Sequence, residues 1–161
     1  MSGRLVVIDK HPGVRPVGVG ENCRRLFAKF VLRITWTKAT NACQDDQICA
    51  GLKEIIDGAI HWLQSIWDAN LSMEDSGFLL VDTKNDFNKI NLIRMLCTVP
   101  HLWPSGARFV FNFYRHLSFL ILQKGIGTAS FIHNMEGVTQ GYPLDMVAYG
   151  MGIIPLIKTW K

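Results

Sequence analysis

Phe78-Leu-Leu-Val-Asp82-Thr-Lys-Asn-Asp86-Phe87-Asn88 is the stretch on which the fold turns. Phe78 to Val81 form a continuous apolar run, the pattern of a strand buried on both faces. The run ends in a carboxylate, at the point where sheets usually place ligands. Phosphoryl transfer needs a carboxylate there to hold Mg²⁺ against phosphate oxygens. The same Asp also suits the cap of a following turn or helix. About 55 residues on comes Glu136-Gly137-Val-Thr-Gln140-Gly141-Tyr142-Pro143-Leu144. This reads as a glycine turn opening a helix, with Pro near the first turn. Exposed backbone N–H groups in such a turn can approach a nucleic-acid strand closely.

Upstream, Arg4-Leu-Val-Val-Ile8 predicts a short strand by its β-branched content. Pro12-Gly13 marks a turn, and Val17-Gly-Val-Gly20 returns as the second strand of a hairpin. From Glu21 to about Ile34 the spacing of Leu26, Phe30 and Val31 predicts a helix, on which Arg24, Arg25 and Lys29 cluster. Residues 35–50 read as loop. Residues 51–68 give the clearest helical stripe, with Leu52, Ile55, Ile56, Ala59, Ile60, Leu63, Ile66 and Trp67 on one face. A strand over 78–82 follows, then a helix from about Phe87 to Thr98 and a break bracketed by Pro100 and Pro104. A helix over 106–116, hairpin strands over 118–123 and 128–133, and a last apolar helix over about 143–158 complete the chain. The class is α+β or α/β.

Taken in order, these segments resemble those of reverse transcriptases, and of retrotransposon-type enzymes in particular. Val81-Asp82-Thr-Lys-Asn-Asp86-Phe87-Asn88 follows the frame of the family's first motif, an apolar strand, an Asp, three variable residues, Ala-Phe, then Asp or Asn. Gly137 followed by Gln140-Gly141-x-Pro143-Leu144 resembles the loop that contacts template and nucleotide. Lys10 and Arg15-Pro16 flank a hairpin as cations do in the fingers of these polymerases. The resemblance spans nearly the whole chain. It implies an α+β fold comprising the fingers and partial palm of a right-hand polymerase, with residues 1–50 fingers-like and 51–161 fingers- and palm-like.

By the same resemblance Asp82 is the catalytic carboxylate and first Mg²⁺ ligand. Lys10, Arg15, Phe87, Gln140 and Gly141 contact the nucleotide, with Phe87 packing on its sugar. Arg24, Arg25, Gly137 and Pro143 contact nucleic acid. The implied partners are an RNA or DNA primer–template and deoxynucleotides. Two departures stand out. Asp86 occupies the place of a small alanine, where an extra carboxylate repels a triphosphate. Tyr142 replaces a frequent acid.

Two-metal transfer takes carboxylates from two neighbouring strands. The family draws the second set from an aromatic-x-Asp-Asp hairpin, yet after Gly141 the only acid is Asp145, on the predicted helix. Asp45-Asp46, the single Asp-Asp pair, precedes Asp82. The expectation is a domain truncated before that third motif, inactive by itself. The strand bearing Asp82 then has an open edge, which favours pairing with an absent palm segment or self-association. The alternative is a non-catalytic nucleic-acid-binding remnant.

Composition bounds the rest. A chain of 161 residues is one domain by length. Its 48% hydrophobic and 19% charged residues leave it short of solvating surface. That suits either a core-rich domain or one whose apolar face packs on something further. The net charge of +4 is uneven. Residues 1–40 hold eight Lys/Arg against two acids, residues 41–86 two against nine, and residues 87–161 seven against two. A basic N-terminal third faces an anion such as nucleic acid, or is an ordinary solvated helix face. Cys23, Cys43, Cys49 and Cys97 form no CxxC pair, so zinc-type spacing is missing and reduced thiols are expected. MSGRLVVIDK has too short an apolar run for a signal peptide. No later apolar run reaches membrane-spanning length, so an intracellular location is expected.

Overall fold

The computed structural model describes residues 2–9, 11–43, 55–71, 77–83, 86–116, 118–123, 127–139 and 141–160. Strands β1 (Ser2–Asp9) and β2 (Val14–Val19) form the expected N-terminal hairpin. They are antiparallel, with Arg4 opposite Val19 and Ile8 opposite Arg15. Helices α1 (Asn22–Cys43), α2 (Ile55–Ala69), α3 (Asp86–Lys89), α4 (Leu92–Leu102) and α5 (Pro104–Tyr114) follow. Strands β3 (Ser118–Gln123) and β4 (Ala129–Asn134) make the second expected hairpin, and α6 (Asp145–Trp160) ends the described chain.

The two hairpins join edge to edge. β1 runs parallel to β3, Ser2 opposite Phe119 and Leu5 opposite Leu122, giving the order β2-β1-β3-β4. A parallel pair needs a long crossover, and here the helices between β2 and β3 supply it. The core lies among α1, α4, α5 and α6. Met95, Val99, Trp103, Val110, Leu144 and Met151 are fully buried there.

Several boundaries differ from expectation. α1 continues through residues 35–43, which read as loop. The Thr35 hydroxyl donates to the Val31 carbonyl at 2.6 Å, and the Thr40 hydroxyl to the carbonyls of Trp36 and Thr37. These back-bonds keep the threonines helical, and Ala39 and Cys43 bury the face they leave. Residues 44–54, including Asp45, Asp46, Cys49 and Leu52, lie outside the described residues. The expected helix from Phe87 splits at Asn91, whose side chain accepts from the Arg94 N–H at 2.9 Å and caps α4. Pro100 sits inside α4 rather than at its end. The break falls at Trp103, and Pro104 opens α5 as a first-turn proline.

Two corrections matter more. Residues 78–82 are not a strand. Leu79 and Leu80 are 89% and 87% exposed, and no ladder receives this segment. An apolar run signals a need for burial, but a strand also needs a partner for its N–H and C=O groups. The described sheet offers none. α2 forms as expected, yet its stripe is not core: Ile60, Leu63 and Trp67 stay exposed. Trp67 meets Phe78, ring centroids 5.7 Å apart.

Candidate functional site

The two segments that dominate the sequence reading meet through their backbones. The Val138 N–H donates to the Phe87 carbonyl at 2.7 Å, and the Gly137 N–H to the Ile90 carbonyl at 3.1 Å. Gly137 has φ +76°, a region L side chains rarely enter. A Cβ there would also overlap the backbone of Asn88. Both requirements leave glycine as the residue that lets the loop lie directly on α3.

The loop's other side rests on the N-terminal hairpin. Gly18 faces the Thr139 methyl, and Gly20 faces the Tyr142 ring. Gly141 lies against Val17 and the Gly18 carbonyl. N-terminal hairpin, α3 segment and glycine loop therefore converge, although they are far apart in sequence.

Beneath the loop sits a buried carboxylate. Asp145 is 2% exposed. Its Oδ1 accepts from the Tyr114 hydroxyl at 2.8 Å and its Oδ2 from the Tyr142 N–H at 2.6 Å. The Asp145 N–H in turn donates to the Tyr142 carbonyl at 3.1 Å. Together these bonds fix the turn that starts α6, in the manner of half a capping box. Burial pushes the Asp145 carboxyl up to about 7, against the lowering effect of its two donors. Burial, then the Asp145 charge, drives the Tyr114 hydroxyl well above the usual tyrosine range. The Tyr142 hydroxyl is buried with no hydrogen-bond partner, and burial pushes it to about 12, partly offset by Arg24. The sequence shows Asp145 only as an acid in a helix's first turn. Its Tyr114 partner, 31 residues upstream, leaves no local signal.

The site residues expected from sequence are distributed as follows. Asp82 is exposed on the non-strand segment before α3. Phe87 is half-buried, its ring 4.5 Å from that of Tyr149 on α6. Asp86 is half-buried and its Oδ1 has no hydrogen-bond partner. Burial, then the Asp86 charge, raises the Tyr149 hydroxyl. Arg15 is exposed on β2, and Pro143 is half-buried ahead of α6. Arg24 pairs with Glu21 at 3.4 Å and lies 6.0 Å from the Phe113 ring centroid, and Arg25 is half-buried nearby on α1. Lys10 and Gln140 lie outside the described residues.

Among the described residues, no three His, Cys, Asp or Glu side chains gather as a metal-binding group. Asp82 offers one carboxylate, which does not fit a two-ion centre on these residues. Among the described residues no helix is long and apolar enough to cross a membrane.

No family model matches this sequence, and no curated protein does. By structure the chain has a mixed α+β fold of distant reverse-transcriptase-like kind. It is similar to apo telomerase from Candida tropicalis truncated from its C-terminal domain, with a TM-score of 0.61 at 13% identity. The likeness covers 98% of this chain and 38% of that one. At this identity it carries the fold alone.

Proposed function

We propose that this chain is the fingers and partial palm of a domain related to RNA-directed DNA polymerases, and that it holds nucleic acid without extending it unaided. The observation that carries this reading is the backbone join of Gly137 and Val138 to Ile90 and Phe87. It seats the glycine loop on Phe87, Asn88 and Ile90, which supports reading the two segments as parts of one site. In this reading Arg24, Arg25 and Pro143 touch the nucleic acid, and Gly137, buried against α3, holds the loop in place for that contact. Lys10, Arg15, Phe87, Gln140 and Gly141 face a nucleotide. Asp82 offers a single carboxylate, too few by itself to hold a Mg²⁺ pair. Further carboxylates must complete any catalytic centre.

The test is titration of a labelled RNA–DNA primer–template at two salt concentrations, paired with primer extension in Mg²⁺ and deoxynucleotides. Binding at low salt that weakens steeply as counterions are released supports the reading. No binding at low salt overturns it. Extension that Asp82→Ala abolishes overturns the claim that the chain does not synthesise alone.

A further inference from the structure

Helix α1 carries Arg24, Arg25, Lys29, Arg33 and Lys38 and not one Asp or Glu. Solvated helix faces ordinarily mix signs, because opposite charges four residues apart stabilise the helix. A helix of single sign is built at some cost in self-repulsion and attracts an anion. α1 also leaves large apolar groups in water, among them Phe27 at 62% exposure.

Between α1 and α5 lies an open pocket of about 230 Å³, lined by Arg24, Phe27, Phe109, Asn112 and Phe113. Three of its five walls are aromatic rings. Phe109 and Phe113 lie nearly parallel, centroids 6.2 Å apart and planes 20° from each other. Arg24 closes one end over Phe113, its charge partly met by Glu21 through an exposed pair that contributes little. Asn112 is exposed and brings both a donor and an acceptor to the rim. The floor of the pocket continues into the glycine loop, because the Phe113 and Tyr142 rings are 4.3 Å apart.

We infer that this α1–α5 pocket receives one unpaired base of a single-stranded nucleic acid. The inference rests on the proposed nucleic-acid function and adds a site to it. Every base has a π-face, and aromatic platforms beside a basic track are how proteins hold single strands. Phe27 supplies the exposed stacking ring, and the Asn112 amide meets the base edge, where amides recognise unpaired bases. Arg24 meets the adjoining phosphate. The single-signed α1 accounts for attraction to a polyanion, which an apolar protein partner does not require.

The experiment is fluorescence anisotropy of the full chain with a labelled single-stranded RNA 12-mer and with a blunt RNA duplex, across a salt series. Phe27→Ala is chosen because its side chain is mostly exposed, so folding survives. The expected result is a 5- to 100-fold weaker affinity for the single strand, roughly the effect of losing one stacked base. Its salt slope stays unchanged, since no phosphate contact is lost. Duplex affinity does not move, and Phe27→Trp restores single-strand binding. Arg24→Ala instead lowers the salt slope by about one phosphate contact.

Equal affinities of parent and Phe27→Ala for the single strand overturn this inference and leave the proposed function standing. Failure of the parent to bind either nucleic acid at low salt overturns both. Binding to phosphatidylserine vesicles that Phe27→Ala abolishes, with single-strand affinity unaltered, reassigns the surface to lipid and overturns the inference.

Discussion

The Val138 N–H reaches the Phe87 carbonyl at 2.7 Å, across 51 residues of sequence. Gly137, one residue earlier, makes that approach feasible. Gly137→Ala forces an L side chain into φ +76° and drives a Cβ into the Asn88 backbone, which is no flexible tip. We expect a loss of about 2–5 kcal/mol in urea unfolding. Gly127→Ala is the control. Its φ of +86° is similar, but a Cβ there meets nothing within 4 Å. That change should cost only about 1–2 kcal/mol. Equal losses at the two positions would show that the loop does not lie on α3.

Asp145 sets an unusual pH dependence. Its carboxyl is raised by burial from 3.8 to about 7 in the fold and returns to the ordinary value on unfolding. Between about pH 4 and 7 the folded chain therefore holds a proton that the unfolded chain has released. Stability from this group falls as pH rises through that window and is level above it, by at most about 4 kcal/mol. Asp145→Asn removes the slope while keeping an acceptor for the Tyr142 N–H. The variant should melt higher than the parent at pH 8, with the gap clearly smaller at pH 5. A parent melting temperature that rises steadily from pH 4.5 to 7.5 would falsify the assignment.

Much of the fold was legible because period and punctuation are local. The β-branched content of Arg4–Ile8, the Pro12-Gly13 turn and the strands flanking 124–127 all carry their own signal, and both hairpins formed. The parallel joining of β1 to β3 was not legible, since nothing in Ser2–Leu5 specifies Phe119–Leu122. Residues 35–43 read as loop but continue α1, where the Thr35 and Thr40 hydroxyls bond back to helix carbonyls. At Phe78–Val81 the apolar run was real, but burial depends on what lies alongside. The meeting of α3 with the glycine loop was not legible, since Phe87 and Val138 are 51 residues apart and the bond runs between backbones. The Asp145–Tyr114 bond under it came only with coordinates.

Two tyrosines at the same buried site should respond in opposite ways. Tyr114→Phe deletes the hydroxyl that serves Asp145 Oδ1, leaving a buried acceptor short of a partner. It should destabilise the chain by about 1–3 kcal/mol. Tyr142→Phe deletes a buried hydroxyl that has no partner, while the ring keeps its place against Phe113. That change should be neutral or mildly stabilising, since no bond is lost and a desolvated polar group is removed. Urea midpoints of the two variants at pH 7.5 decide the matter. A Tyr142→Phe loss as large as that of Tyr114→Phe would mean the Tyr142 hydroxyl is bonded after all.

Leu79 and Leu80 separate the sequence-based strand from the structure observed. In a buried strand each leucine would contribute a full side chain of transfer free energy, and Leu→Ala would cost about 2–5 kcal/mol. In the structure both are almost fully exposed, so removing them leaves no cavity. Leu79→Ser and Leu80→Ser should each change stability by no more than about 0.5 kcal/mol. Both should raise solubility, because four consecutive exposed apolar residues form a ready aggregation segment. Urea unfolding and sedimentation velocity over a tenfold concentration range read the two effects separately. Large destabilisation of the monomer by either substitution would place this segment in a core. Unchanged stability with less self-association would establish it as exposed extended chain.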